Sequence, residues 1–160
     1  MIGDSALGRP VTQQSTRRNT LLAIAIGGGI TGTLDLLQAG VLFGWDIPLS
    51  IAGGLLGRQA VHGGPGTYIL GLALHFFIAC SAAATYYAAS RKLRFLTENP
   101  LICGLFFGAA VEEVMRLAVL PLSALRARGP YELHDLILGL VVHMVVVGLP
   151  ISYSVRRFAR

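Results

Sequence analysis

Two acids and two histidines stand inside long apolar runs. They are Asp35 in "GITGTLDLLQAG", His75 in "GLALHFFIA", Glu112 in "AAVEEVMRL" and His143 in "GLVVHMVVV". A carboxylate beside an imidazole can exchange a proton, hold a cation, or tie two helices together through a hydrogen bond. The choice matters in lipid. An ionised acid at the centre of a bilayer costs roughly 2.5–3.5 kcal/mol on insertion scales, so it is a functional candidate by default. The plainer reading is that Asp35 bonds a histidine and glues the helices, since a neutral imidazole is cheap enough to be structural.

The runs that carry these residues are long enough to cross a membrane. The chain has 160 residues, 54% hydrophobic and 13% charged, with mean hydropathy +0.66. A soluble domain of this size would carry about 25% charge. About 20 apolar residues span a bilayer. Four stretches qualify: 20–43, 68–90, 100–122 and 135–155. They define one transmembrane domain over 20–155, with a polar, mobile N-terminal tail over 1–19 and a basic tail over 156–160. The expected fold is an all-α membrane protein, a bundle of four transmembrane helices.

The formal net charge of +5 does not indicate nucleic acid as a partner, because the cations are sorted by loop. Arg9, Arg17 and Arg18 precede span one, Arg91, Lys92 and Arg94 separate spans two and three, and Arg156, Arg157 and Arg160 follow span four. Only Arg58, Arg126 and Arg128 fall on the other side, and Arg116 lies within span three. This positive-inside bias places both termini in the cytoplasm. "STRRNTLLAIA" resembles a twin-arginine export signal, but three further spans follow and no small-residue cleavage site is evident, so it reads as the basic flank of span one. Cys80 and Cys103 lie at different depths, which argues against a disulfide.

The loops differ in character. Arg91–Asn99 is short and charged, and Pro100 opens span three where proline is tolerated. Ser123–His134 is polar, with a turn signal at Gly129-Pro130. The first outer loop, 44–67, contains the apolar stretch 47–60, too short to cross. It reads as a short interfacial or re-entrant helix starting near Pro48, weakened by Gly53, Gly54 and Gly57 and anchored by Trp45.

A pattern links the spans. Span one has Gly28 and Gly32, then Asp35; span three has Gly104 and Gly108, then Glu112. Span two pairs Gly71 with His75, and span four pairs Gly139 with His143. This suggests a helical hairpin duplicated in parallel. Small residues at i and i+4 let helices approach closely in lipid, so the glycines mark packing faces. At 1.5 Å per residue, all four polar side chains fall roughly 10–15 Å below the outer surface. Helical phase then lets Asp35, His75, Glu112 and His143 converge on one interior point. Pro150 is expected to kink span four.

Glu112, Glu113 and Arg116 form a second feature. The Glu112–Arg116 spacing favours an i,i+4 ion pair. Glu113 then points about 100° away and needs another partner, such as a neighbouring subunit. No phosphate-binding loop, HExxH or CxxC motif occurs, and no serine sits in a nucleophile elbow, so no enzymatic activity is expected.

The stretches "SIAGGLLGRQAVHGG", "GLALHFFIACSAAATYYAASR" and "VLPLSAL" resemble a group of uncharacterised bacterial inner-membrane proteins, and more loosely the YagU-like proteins. The resemblance runs from about Gly27 to the C-terminus. It implies a four-span protein of the bacterial inner membrane and no established activity. The family pattern includes Asp35, His75 and His143 but has apolar or aromatic residues where this chain has Glu112 and Glu113.

Three functions fit these residues. In the first, the Asp/His cluster of a small non-enzymatic membrane protein handles protons or a cation, or packs an accessory subunit. In the second, His75 and His143 on diagonal helices two and four ligate a haem b for electron transfer, with the glycines of helices one and three admitting the flat macrocycle. In the third, the chain is a structural partner in a homo-oligomer or larger membrane complex.

Overall fold

Helix α1, Arg9–Phe43, begins well before the Thr20 boundary expected from the apolar run. Pro10 sits in its first turn, where the missing N–H is harmless, and no glycine interrupts the polar segment, so the helix propagates back from the apolar stretch. The structure, a computed structural model, describes residues 9–158, and the remainder of the two expected tails lies outside them.

The other elements follow in order. Helix α2 is Ile47–Leu56, α3 is Pro65–Ser90 and α4 is the short turn Phe95–Glu98. Helices α5, Pro100–Val114, and α6, Leu120–Leu122, form one rod joined by a π-helical turn at Met115–Val119. Helices α7, Leu133–Val142, and α8, Leu149–Phe158, form another, joined by a π-helical turn at His143–Gly148. No strand occurs among the described residues.

Among the described residues, three helices are long and apolar enough to cross a membrane: Arg17–Phe43, Pro65–Ser90 and Leu133–Phe158. The α5–α6 rod is comparable in length, but its second half carries Glu112, Glu113 and Arg116. The outward surface is apolar. Val41, Phe77, Phe106 and Leu117 are each more than two-thirds exposed, at 76%, 69%, 74% and 68%. An apolar surface of this kind marks contact with lipid or protein.

Both widened turns lie just before a proline, Pro121 and Pro150. A proline inside a helix removes one N–H and clashes with the carbonyl four residues earlier. A wider turn upstream relieves that clash. The expected kink at Pro150 therefore takes this form, and Pro121 produces the same effect in the other rod.

Packing is centred on α1 and α8. Helix α1 lies between α3 and α8, and α5 packs against the α7–α8 rod. Consecutive glycines explain the double contact of α1. A Cβ on Gly27 would meet Ser154 at 3.2 Å, whereas one on Gly28 would meet the Cys80 backbone at 2.7 Å. Successive residues point about 100° apart, so the two glycines admit two different helices. Ala23, Ala83, Tyr86, Cys103, Ile151 and Val155 form the core at the Ser90 end, with Tyr86 edge-on to Phe107 at 4.9 Å. Both cysteines are free.

The seam between α3 and α5 has no extensive helix–helix contact. At one end α2 occupies its mouth. Its carbonyl at Pro48 lies against Gly71, and the Gly54 carbonyl accepts the Ala124 N–H at 2.8 Å. Helix α2 starts at Ile47 as the proline suggests, but stops at Gly57, which adopts φ +85°. A positive φ is a conformation glycine adopts at little strain.

Candidate functional site

The four polar residues are brought together as two pairs, and they do not form one buried cluster. His75, from the middle of α3, points its Nε2 at α1. It donates to the Gly32 carbonyl at 2.8 Å. Asp35 Oδ2 stands 3.9 Å from the same nitrogen, beyond hydrogen-bond reach. The expected Asp35–histidine hydrogen bond is thus replaced by a bond to backbone. The side chains are 21% and 12% exposed for Asp35 and His75, so neither is fully buried.

The second pair is tighter. His143 Nδ1 lies 3.1 Å from Glu112 Oε2 and 3.0 Å from the carbonyl of Gly139 in its own helix. Gly139 makes the approach feasible. A Cβ there would lie 2.7 Å from Glu112 Oε1. Glycine four residues before histidine therefore has a different task in each case: Gly71 seats the backbone of α2, and Gly139 seats a carboxylate.

This geometry changes the assignment around Arg116. Glu112 turns inward to His143, so it is not the partner of Arg116. Arg116 Nη2 instead bonds both oxygens of Glu113, at 2.5 and 2.6 Å. Its guanidinium also lies 5.9 Å from the Tyr131 ring centre, a cation–π distance. The i,i+3 alternative wins because Glu112 shares the glycine-lined face of α5, where an imidazole is the nearer polar group. Glu113 has its partner within the chain.

The glycine stripes act as expected for close packing. A Cβ on Gly32 would meet the Phe76 ring at 2.8 Å. Gly108 lies against the His143 carbonyl and Met144, and Gly104 against Gly148 and Ser152. The contacts have matched registers. Gly32 and Gly28 meet the residues one and five positions after His75; Gly108 and Gly104 meet those one and five positions after His143.

A cavity of about 90 Å³ lies where these helices meet. Asp35, His75 and His143 line it, with Thr31, Ile51 and Met115 among the other walls. Glu112 reaches it only through His143. A water occupies roughly 30 Å³ of liquid, so a few waters fit. Among the described residues, no group of three or more His, Cys, Asp or Glu side chains is placed to hold a metal ion.

Several wall residues were not singled out by their sequence. Thr31 donates to the Val147 carbonyl at 3.3 Å, inside the widened turn of the α7–α8 rod. Its position four residues before Asp35 is a signal for a shared face. Ile51 carried none, since its role depends on how α2 folds back onto the rods. Comparison of the chain with protein-family models, curated proteins and solved structures gives no significant match.

Proposed function

We propose that this chain is a four-span protein of the bacterial inner membrane, YagU-like in type, whose paired carboxylates and histidines handle protons at a small internal cavity. The observation that carries the reading is the position of Asp35, His75 and His143 around one cavity large enough for water. Water there would connect the Asp35–His75 side to His143, and Glu112 lies 3.1 Å further on. Imidazole and carboxylate can each take up and release a proton, which suits them to a relay.

The fourth span is supported by how the α5–α6 rod handles its charges. Glu113 and Arg116 neutralise one another, and Glu112 faces His143 rather than lipid. Charges that are paired, or turned inward as Glu112 is, are the form tolerated inside membranes. The matched glycine registers favour a duplicated hairpin. The sorting of arginines and lysines favours cytoplasmic termini. On this reading α2 lies beneath the outer surface and caps the cavity.

Proton flux into proteoliposomes tests the proposal. The parent protein should conduct protons, and Asp35→Asn and His143→Gln should each reduce the rate at least tenfold. A parent without flux, matched by both variants, would leave only the packing role of these residues. The haem reading has weaker support, because a macrocycle is far larger than the roughly 90 Å³ between the histidines.

A further inference from the structure

The seam between α3 and α5, closed at one end by α2, is open at the other. There it forms a groove of about 740 Å³. This is in the range of roughly 300–1,000 Å³ typical of small-ligand pockets. Its walls are largely apolar, with Asn99 the polar exception: Tyr86 from α3, Leu93 and Phe95 from the connection, and Ile102 and Phe106 from α5. Phe106 and Ile102 are 74% and 57% exposed, so the groove opens sideways, away from the bundle.

The connection that borders this groove is cationic. Leu93, which lines it, sits within the run Arg91-Lys92-Leu93-Arg94, and all four residues are exposed. Lys92 and Arg94 are therefore within one residue of the groove wall. The connection carries a single acid, Glu98, against these three positive charges, so it keeps a net positive charge beside the groove.

We infer that the groove holds one anionic phospholipid, with an acyl chain between α3 and α5 and its phosphate at Arg91, Lys92 and Arg94. The inference rests on the membrane-spanning reading above. An apolar slot alone would accept any lipid tail. The cations beside it select the headgroup, since basic clusters beside a span attract anionic lipid. An acyl chain also fills the one inter-helix seam that the described residues leave open.

The test is native mass spectrometry of the full chain, released from mixed micelles containing equimolar phosphatidylglycerol and phosphatidylcholine. One phosphatidylglycerol should be retained, in at least tenfold preference to phosphatidylcholine. The triple variant Arg91→Gln, Lys92→Gln, Arg94→Gln should bring the two lipids close to parity while its melting temperature stays within a few degrees of the parent. Ile102→Trp, which fills the groove from an exposed position, should lower retention of both lipids. Equal retention by the parent, or a preference untouched by the triple variant, would overturn the inference. So would a lipid-free dimer, which would assign the groove to a second copy. An alkaline wash of membranes separates the two readings: protein released by the wash fails as a spanning protein, whereas protein that stays but shows no lipid preference fails only at the groove.

Discussion

Gly71 and Gly139 stand at the same distance before a histidine, and alanine at the two positions should have opposite consequences. At Gly71 the new methyl group would fall on the Pro48 carbonyl, carbon and Cα, all of them backbone. No rotamer change can relieve that contact, so α2 must move away from α3. Overpacking costs typically 1–3 kcal/mol, and a backbone obstacle belongs at the upper end. Alanine recovers up to about 1 kcal/mol of helix propensity. The expected net loss is about 2 kcal/mol, accompanied by detachment of α2. At Gly139 the nearest atom is Glu112 Oε1, at 2.7 Å, the free end of a flexible side chain. The carboxylate can swing aside, and the propensity gain offsets most of the cost. Stability should change by less than about 1 kcal/mol, while the 3.1 Å approach of Glu112 to His143 is lost. Unfolding in detergent, followed by circular dichroism, measures the first quantity. Maleimide labelling of Ala52→Cys, which is fully buried in α2, reports whether the helix has lifted. Labelling should be slow in the parent background and fast with Gly71→Ala. If Gly71→Ala unfolds with the parent and Ala52→Cys stays protected, the backbone packing argued for α2 is wrong.

Other outcomes rest on the same geometry. Asp35→Asn should leave the fold within about 1 kcal/mol of the parent, because His75 bonds the Gly32 carbonyl and not the carboxylate; a collapse of the melting transition would show that Asp35 is structural glue. Reporter fusions at both ends should be active only on the cytoplasmic side, and a fusion near Arg126 only on the opposite side; a C-terminus outside would overturn the four-span reading. Arg58→Cys should react quickly with a membrane-impermeant maleimide, in contrast to Ala52→Cys, and equal rates would mean that α2 is a free loop. Protein purified from haem-sufficient cells should show no Soret band; a Soret band lost in both His75→Ala and His143→Ala would instead establish the haem alternative.

The sequence made the helices and their packing faces legible because these depend on local facts. Apolar run length marks a candidate span, and glycines at i and i+4 mark a face, whatever the fold does elsewhere. Gly28, Gly32, Gly104 and Gly108 all lie at close helix contacts for that reason. Partner choice among the charged groups was not legible in the same way. Glu112 and Glu113 are equally able to reach Arg116 along the helix, and the decision is made by His143 on a different rod. Likewise, nothing in "GLALHFFIA" says that its glycine will meet α2, because α2 arrives from a loop.

The widened turns show how the two halves can share a pattern and still differ. The α1–α3 hairpin contains no proline in its helix interiors, and its histidine reaches across to a carbonyl of the acid-bearing helix, Gly32. In the other hairpin, Pro121 and Pro150 force π-helical turns that begin at Met115 and His143, beside the polar pair itself. A π-turn adds a residue and so rotates the downstream part of the helix about its axis. His143, at the start of its turn, keeps its Nδ1 on the Gly139 carbonyl of its own helix, with Glu112 3.1 Å away across the interface. In the same turn the Val147 carbonyl is met by Thr31 from the first hairpin. The buried hydrogen bond from Thr31 ties α1 to the α7–α8 rod at this widened turn. The two histidines are thus both held on backbone carbonyls, His75 on a neighbouring helix and His143 on its own, and they differ in how near a carboxylate stands: 3.9 Å for Asp35 and 3.1 Å for Glu112.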